Sequence, residues 1–143
     1  MTETILVVDD EQDLAATCER LLRRRGWNVE IAGSREAALT RLAGQPRPVL
    51  AIVDRQLPDG DGLDVLRAAR AANTRVIMVT GYGSGPTRRL ALEEGAVGFL
   101  AKPFSAQDLL DLVRETIGDT SGPATAPTNR APFCDSPGSG IHY

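Results

Sequence analysis

The sequence predicts an α/β fold: a doubly wound parallel sheet of five strands with helices on both faces. Two observations carry that prediction. Five short apolar runs rich in β-branched residues alternate with stretches whose leucines and alanines recur at helical spacing. Three of those runs are apolar throughout, as strands covered on both faces must be.

The first run, Ile5-Leu6-Val7-Val8, has no polar position. Asp10 then stands where it can cap a helix starting at Glu11, with Leu14, Cys18, Leu21 and Leu22 along one side and Gly26 to end it. The second run, Asn28 to Ala32, alternates, with Glu30 between Val29 and Ile31, as an edge strand would. Ser34 is a cap for the second helix. Val49 to Val53 and Val76 to Val79 are again apolar, and Pro86 suits the first turn of the fourth helix. The fifth run, Val97 to Ala101, contains Gly98 and is less bulky. Ser105-Ala106-Gln107-Asp108 has the form of a capping box before the last helix. First, third and fourth strands inside, with second and fifth at the edges, match the order 2-1-3-4-5 of flavodoxin-like doubly wound sheets.

At 143 residues the chain is about one domain long and can bury a core without disulfides. One folded domain is expected over 1–118. Residues 119–143, with four of the nine prolines and scattered Gly, Ser and Thr, are expected to form a flexible tail. A net charge of -3 gives no reason to expect nucleic-acid binding through a basic surface. Met1-Thr2-Glu3-Thr4 has no basic segment and the first apolar run is too short for a signal peptide or span, so a cytoplasmic protein is expected. Cys18 reads as a buried structural thiol, Cys134 falls in the tail, and no CxxC spacing exists.

Polar residues fall at the strand ends. Asp9 and Asp10 follow the first strand, Asp54 ends the third, Thr80 ends the fourth and Lys102 follows the fifth. In a parallel sheet all of them lie along the carboxyl edge, where such sheets bind ligands. Three carboxylates there repel one another, by on the order of 3 kcal/mol per pair at about 5 Å and an effective dielectric near 20. Lys102 can offset one charge, and a hard divalent cation the rest. Acids without a cluster of histidines or cysteines favour Mg²⁺ or Mn²⁺ over zinc. Each residue has a plainer reading alone: Asp10 as a helix cap, Thr80 as a strand residue, Lys102 as a surface charge.

The arrangement resembles the receiver domain of bacterial response regulators. The matching residues are Val7-Val8-Asp9-Asp10, Ile52-Val53-Asp54, Leu57-Pro58-Asp59-Gly60-Asp61-Gly62, Val79-Thr80-Gly81 and Lys102-Pro103-Phe104, over roughly Thr4 to Gly118. The resemblance implies that Asp54 becomes an acyl phosphate. It also implies that Asp9, Asp10, Asp54 and the backbone carbonyl of Gln56 hold Mg²⁺, and that Lys102 and the Thr80 hydroxyl bind the phosphoryl group. A cis Lys102–Pro103 bond follows from the same likeness. Phe99 falls at the family's switch aromatic and is otherwise a core phenylalanine. Tyr82 and Arg55 are expected at the pocket mouth.

The implied function is a two-component receiver, phosphorylated by a histidine kinase or histidine phosphotransfer protein. It would switch a partner surface on the fourth helix, fifth strand and fifth helix. The domain is then no true enzyme, although self-catalysed, Mg²⁺-dependent phosphorylation and dephosphorylation are implied. A monomer or a phosphorylation-linked dimer is expected, without membrane or direct nucleic-acid contact. His142, the single histidine, lies in the tail, so the donor is expected to be another protein. An aspartate-nucleophile phosphatase would carry an acid where Gln56 stands. A flavin module would not place Asp9-Asp10-Glu11 beside a phosphate. Two alternatives remain: a phosphorylation-independent receiver-like interaction domain, and the receiver part of a larger transcription regulator, which the Val79-Thr80-Gly81-Tyr82-Gly83 segment resembles.

Overall fold

The computed structural model describes residues 3–81 and 85–117. Tyr82, Gly83, Cys134, His142 and the expected tail at 119–143 lie outside the described residues. The elements run β1 (Thr4–Val8), α1 (Gln12–Arg24), β2 (Asn28–Ala32), α2 (Arg35–Leu42), β3 (Leu50–Asp54), β4 (Gln56–Leu57), β5 (Gly60–Asp61), α3 (Gly62–Ala71), β6 (Arg75–Thr80), α4 (Gly85–Glu93), β7 (Gly98–Ala101) and α5 (Ala106–Ile117). The main sheet is parallel with order β2-β1-β3-β6-β7. Counting its strands alone, that is the 2-1-3-4-5 order expected from burial patterning. The β4–β5 hairpin was not anticipated; its signal is Pro58-Asp59, a turn-forming pair between Gln56-Leu57 and the pairing Gly60-Asp61.

Alternate side chains on the strands feed two cores. Leu6, Val8, Ala51, Val53, Val76 and Met78 pack with Ala38 and Leu42 of α2, Val65, Leu66 and Ala69 of α3, and Ala91 of α4. Ile5, Val7, Ile52, Ile77 and Val79 pack on the other face with Ala15, Cys18 and Leu22 of α1 and Leu109, Leu110 and Val113 of α5. Strands β1 and β3 are buried at every position, which explains the unbroken apolar runs Ile5 to Val8 and Leu50 to Val53 within them. Edge strand β2 is covered unevenly: Val29 is buried while Ile31 is 43% exposed. Cys18 is buried and free, as expected.

Helix ends follow local rules, with one exception. Ser34 Oγ accepts from the Ala37 N–H at 3.1 Å. Ser105 and Asp108 form the reciprocal capping box, Asp108 N–H to Ser105 Oγ at 3.0 Å and Ser105 N–H to Asp108 Oδ2 at 3.1 Å. Gly26, at φ 98°, stops α1, where the Gly26 N–H reaches Arg23 O and the Trp27 N–H reaches Leu22 O. The exception is Asp10. It does not cap α1: the cap position is Glu11, and the acid that turns back to the backbone is Asp9, whose Oδ1 accepts from the Glu11 N–H at 2.8 Å. Asp9 is buried and finds its partner there, whereas Asp10 is exposed and its carboxylate is left for other work.

Candidate functional site

The site is built where β1, β3, β6 and β7 end. Asp9 leaves β1 and Asp54 closes β3, each 5% exposed, and Thr80 closes β6 at 1%. Lys102 follows β7 and is tied to β6 by its own N–H, which donates to the Thr80 carbonyl at 2.8 Å. The Lys102–Pro103 peptide is cis.

Both oxygens of Asp54 are held. Oδ1 accepts from the Gln56 N–H at 3.0 Å, and Oδ2 lies 2.9 Å from Lys102 Nζ. The same ammonium sits 3.4 Å from Asp9 Oδ2 and 2.9 Å from Glu11 Oε1. Burial opposes charging Lys102, but hydrogen bonds to Glu11 and Asp54 and the nearby charges of Asp54 and Asp9 outweigh it and raise its pKa. Asp9 moves the other way for an acid: burial raises its pKa, and the Glu11 N–H and Lys102 only partly counter it. Cys18, under the same edge, is pushed up to about 11 by burial and by the Asp9 charge, which makes it a poor nucleophile.

The segment after Asp54 is locked in place. Gly62 lies so close to β3 that an added Cβ would stand 2.2 Å from the Asp54 carbonyl oxygen. Its N–H donates to the Arg55 carbonyl at 2.8 Å. Arg55 forms a two-point ion pair with Asp61, at 2.8 and 3.2 Å. Asp61 Oδ1 also caps α3 through the Leu63 N–H at 2.9 Å. Burial pulls the Asp61 pKa up, but the Arg55 and Leu63 hydrogen bonds outweigh it and the net shift is downward. Asp59 reaches across to α2, accepting from the Arg35 and Glu36 N–H groups at 2.7 and 3.0 Å, which lower its pKa. Arg55, Gln56, Asp61 and Thr80 line a cleft of about 480 Å³ beside Asp54.

Asp9, Asp10 and Asp54 each offer a carboxylate oxygen, all within 4.8 Å of one another, and form a cluster able to hold a metal ion. The donors are hard oxygens, which fits the class of cation expected from sequence. Phe99 is in register with Met78 and half-buried against the core that contains Ala91 and Ala96.

Asp9, Asp10, Asp54, Thr80 and Lys102 stand together at the strand ends, as their places in the sequence predict, and Arg55 lies at the cleft. Two further residues, Glu11 and Asp59, carried no such prediction. Glu11 directly follows the acid pair, and that adjacency was its only signal. Asp59 acts on a helix 24 residues earlier, which no local pattern reveals.

The family model for the response regulator receiver domain matches residues 5–114. The chain belongs to that family. It is a receiver domain of two-component response regulators. The acid tolerance regulatory protein ActR of Rhizobium meliloti (strain 1021) is 36% identical over 127 residues, 87% of this chain and 65% of that protein. The transcriptional regulatory protein CpxR of Escherichia coli (strain K12) is 39% identical over 111 residues, 77% of this chain and 47% of that protein. The chain thus spans between about half and two thirds of these relatives. Among solved structures, a CheY-like receiver from Methanospirillum hungatei JF-1 aligns with TM-score 0.75 and 31% identity, covering 81% of this chain and 94% of its own. A response regulator from Burkholderia pseudomallei, solved with a phosphorylated aspartic acid, calcium ion and citrate, aligns with TM-score 0.69 and 29% identity, covering 87% and 77%. Among the described residues no helix is long and apolar enough to cross a membrane.

Proposed function

We propose that this receiver accepts a phosphoryl group on Asp54 from the phosphohistidine of a histidine kinase or phosphotransfer protein. The observation that carries the reading is the Asp54 carboxylate itself: buried, with one oxygen on the Gln56 N–H and the other on Lys102, beside two further acids. A carboxylate oxygen attacks phosphorus, the P–N bond breaks, and the leaving imidazole takes up a proton. Hydrolysis by water later returns the carboxylate and inorganic phosphate, catalysed by the domain itself.

Asp9, Asp10, Asp54 and the Gln56 carbonyl would hold Mg²⁺, or Mn²⁺. When bound, the ion neutralises charge on the phosphoryl oxygens. Lys102 supplies a fixed positive charge to the same oxygens, and the Thr80 hydroxyl donates to one of them. Positioning of this kind, made before the donor arrives, is the chain's main contribution. The phosphoryl group then draws Thr80 inward and Phe99 turns with it, changing the surface of α4, β7 and α5 that a downstream protein reads. A complete switch requires about 5 kcal/mol of differential stabilisation, within reach of several charge-assisted hydrogen bonds. The phosphorylated aspartic acid in the Burkholderia pseudomallei relative supports this chemistry by analogy.

A second reading follows from the relatives' lengths: the switched surface acts on an output domain within a larger transcription regulator.

The test is incubation with Mg²⁺ and acetyl phosphate, followed by intact mass. One phosphoryl adduct is expected, absent with EDTA and in Asp54→Asn. An adduct that persists in Asp54→Asn would overturn Asp54 as acceptor. No adduct and no Mg²⁺ binding would favour a phosphorylation-independent interaction domain.

A further inference from the structure

We propose that Glu11 is a positioning residue for the phosphoryl transfer: it shares the Lys102 ammonium before phosphorylation and surrenders it when the phosphoryl group arrives. The inference rests on Asp54 being the acceptor. An ammonium has three N–H donors. Around Lys102 stand three carboxylates: Glu11 and Asp54 each take a hydrogen bond at 2.9 Å, and Asp9 forms an ion pair at 3.4 Å, so an incoming phosphoryl oxygen meets an ammonium already shared. One partner must yield.

Exposure decides which. The side chains of Asp9 and Asp54 are 7% and 6% exposed, whereas that of Glu11 is 60% exposed. Releasing Asp9 would strand a buried charge, and Asp54 keeps its own charge until the phosphoryl group joins it. Releasing Glu11 returns its carboxylate to water, at the cost of an exposed ion pair alone. The helix does not depend on the Glu11 side chain either. Glu11 occupies the cap position of α1 without a side-chain cap bond, and its backbone N–H is held by Asp9. The side chain is therefore placed to compete for Lys102, and a substitution there leaves the fold intact.

The competition has a kinetic signature. Glu11→Gln keeps the size but gives up the charge, so Lys102 becomes available to an incoming donor. The acetyl phosphate concentration giving half-maximal phosphorylation should fall by up to about fivefold, the range set by exposed ion pairs, with the maximal rate little changed. Lys102 itself gives the second readout. With Mg²⁺ present, its side-chain Nζ resonance should differ between wild type and Glu11→Gln before phosphorylation. The two resonances should converge once acetyl phosphate has loaded Asp54, because Glu11 has by then let go.

Equal concentration dependence in the two proteins would overturn the proposal. So would a kinetic effect with an unmoved Lys102 resonance, which would assign the effect to charge at the cleft mouth. Failure of wild type to form any adduct would bring down the acceptor reading. Adduct formation that is normal and indifferent to Glu11 would bring down only the role of Glu11.

Discussion

Two places at the carboxyl edge, the stretch after β3 and the glycine after β6, are packed on opposite plans. The one after β3 is determined at every step: Gly62 abuts the Asp54 carbonyl, Arg55 is clamped by Asp61, and Asp59 is fastened to the start of α2. At the end of β6, an added Cβ on Gly81 or on Gly85, where α4 begins, meets nothing within 4 Å. Rigidity is thus placed where a carboxylate must be aimed, and nothing among the described residues crowds Gly81, the residue after the buried Thr80. The difference teaches that glycine serves two purposes at one site: close approach at 62, open surroundings at 81.

The largest effect expected from breaking this contrast is at Gly62. Gly62→Ala forces a methyl into backbone that cannot yield, and should cost on the order of 3 kcal/mol, read as a fall in denaturation midpoint. Next comes the cost of gathering acids on the rigid side. Because the folded-state pKa of Asp9 is raised, its ionisation destabilises the metal-free fold as pH rises through that value. Asp9→Asn should therefore raise the melting temperature in EDTA at neutral pH. It should also abolish the stabilisation by Mg²⁺, which in wild type should reach about 2.7 kcal/mol at a hundredfold excess over Kd. A variant that kept the Mg²⁺ increment would remove Asp9 from the metal site.

A smaller effect is expected from loosening the clamp. Asp61→Asn removes the ion pair to Arg55 and should cost up to about 1 kcal/mol at pH 7. Since the folded pKa of Asp61 is lowered, that contribution is present above the ordinary carboxylate value and is lost as pH falls through the folded one. Denaturant midpoints of wild type and variant should therefore draw together in acid. The smallest effect is the counterpart of the first: Gly81→Ala should change stability by less than about 0.5 kcal/mol. A large loss there would show that Gly81 is needed as glycine for folding, and the contrast would fail.

Much of this was legible in the sequence because burial is written in period and composition. Apolar runs in β1, β3 and β6 marked the interior strands, and the break at Glu30 marked the edge. Parallel order then gathered Asp9, Asp54, Thr80 and Lys102 by topology alone. What escaped depends on directions that spacing does not encode. Whether Asp9 or Asp10 turns back to the α1 backbone is set by the pleat at the end of β1, and adjacent acids look alike on paper. The hold of Asp59 on α2 and of Glu11 on Lys102 spans 24 and 91 positions, so it exists only once the sheet has formed.

The helix stop at Gly26 has an optical consequence. It sets Trp27, the chain's single tryptophan, in the α1–α5 core at the amino edge of the sheet, 5% exposed. Five-residue β1 separates that edge from Asp9, roughly 17 Å at the usual rise per residue. Indole emission should therefore follow melting of the core while staying blind to local changes around Asp9 at the opposite end. Emission from Trp27 then records folding by itself.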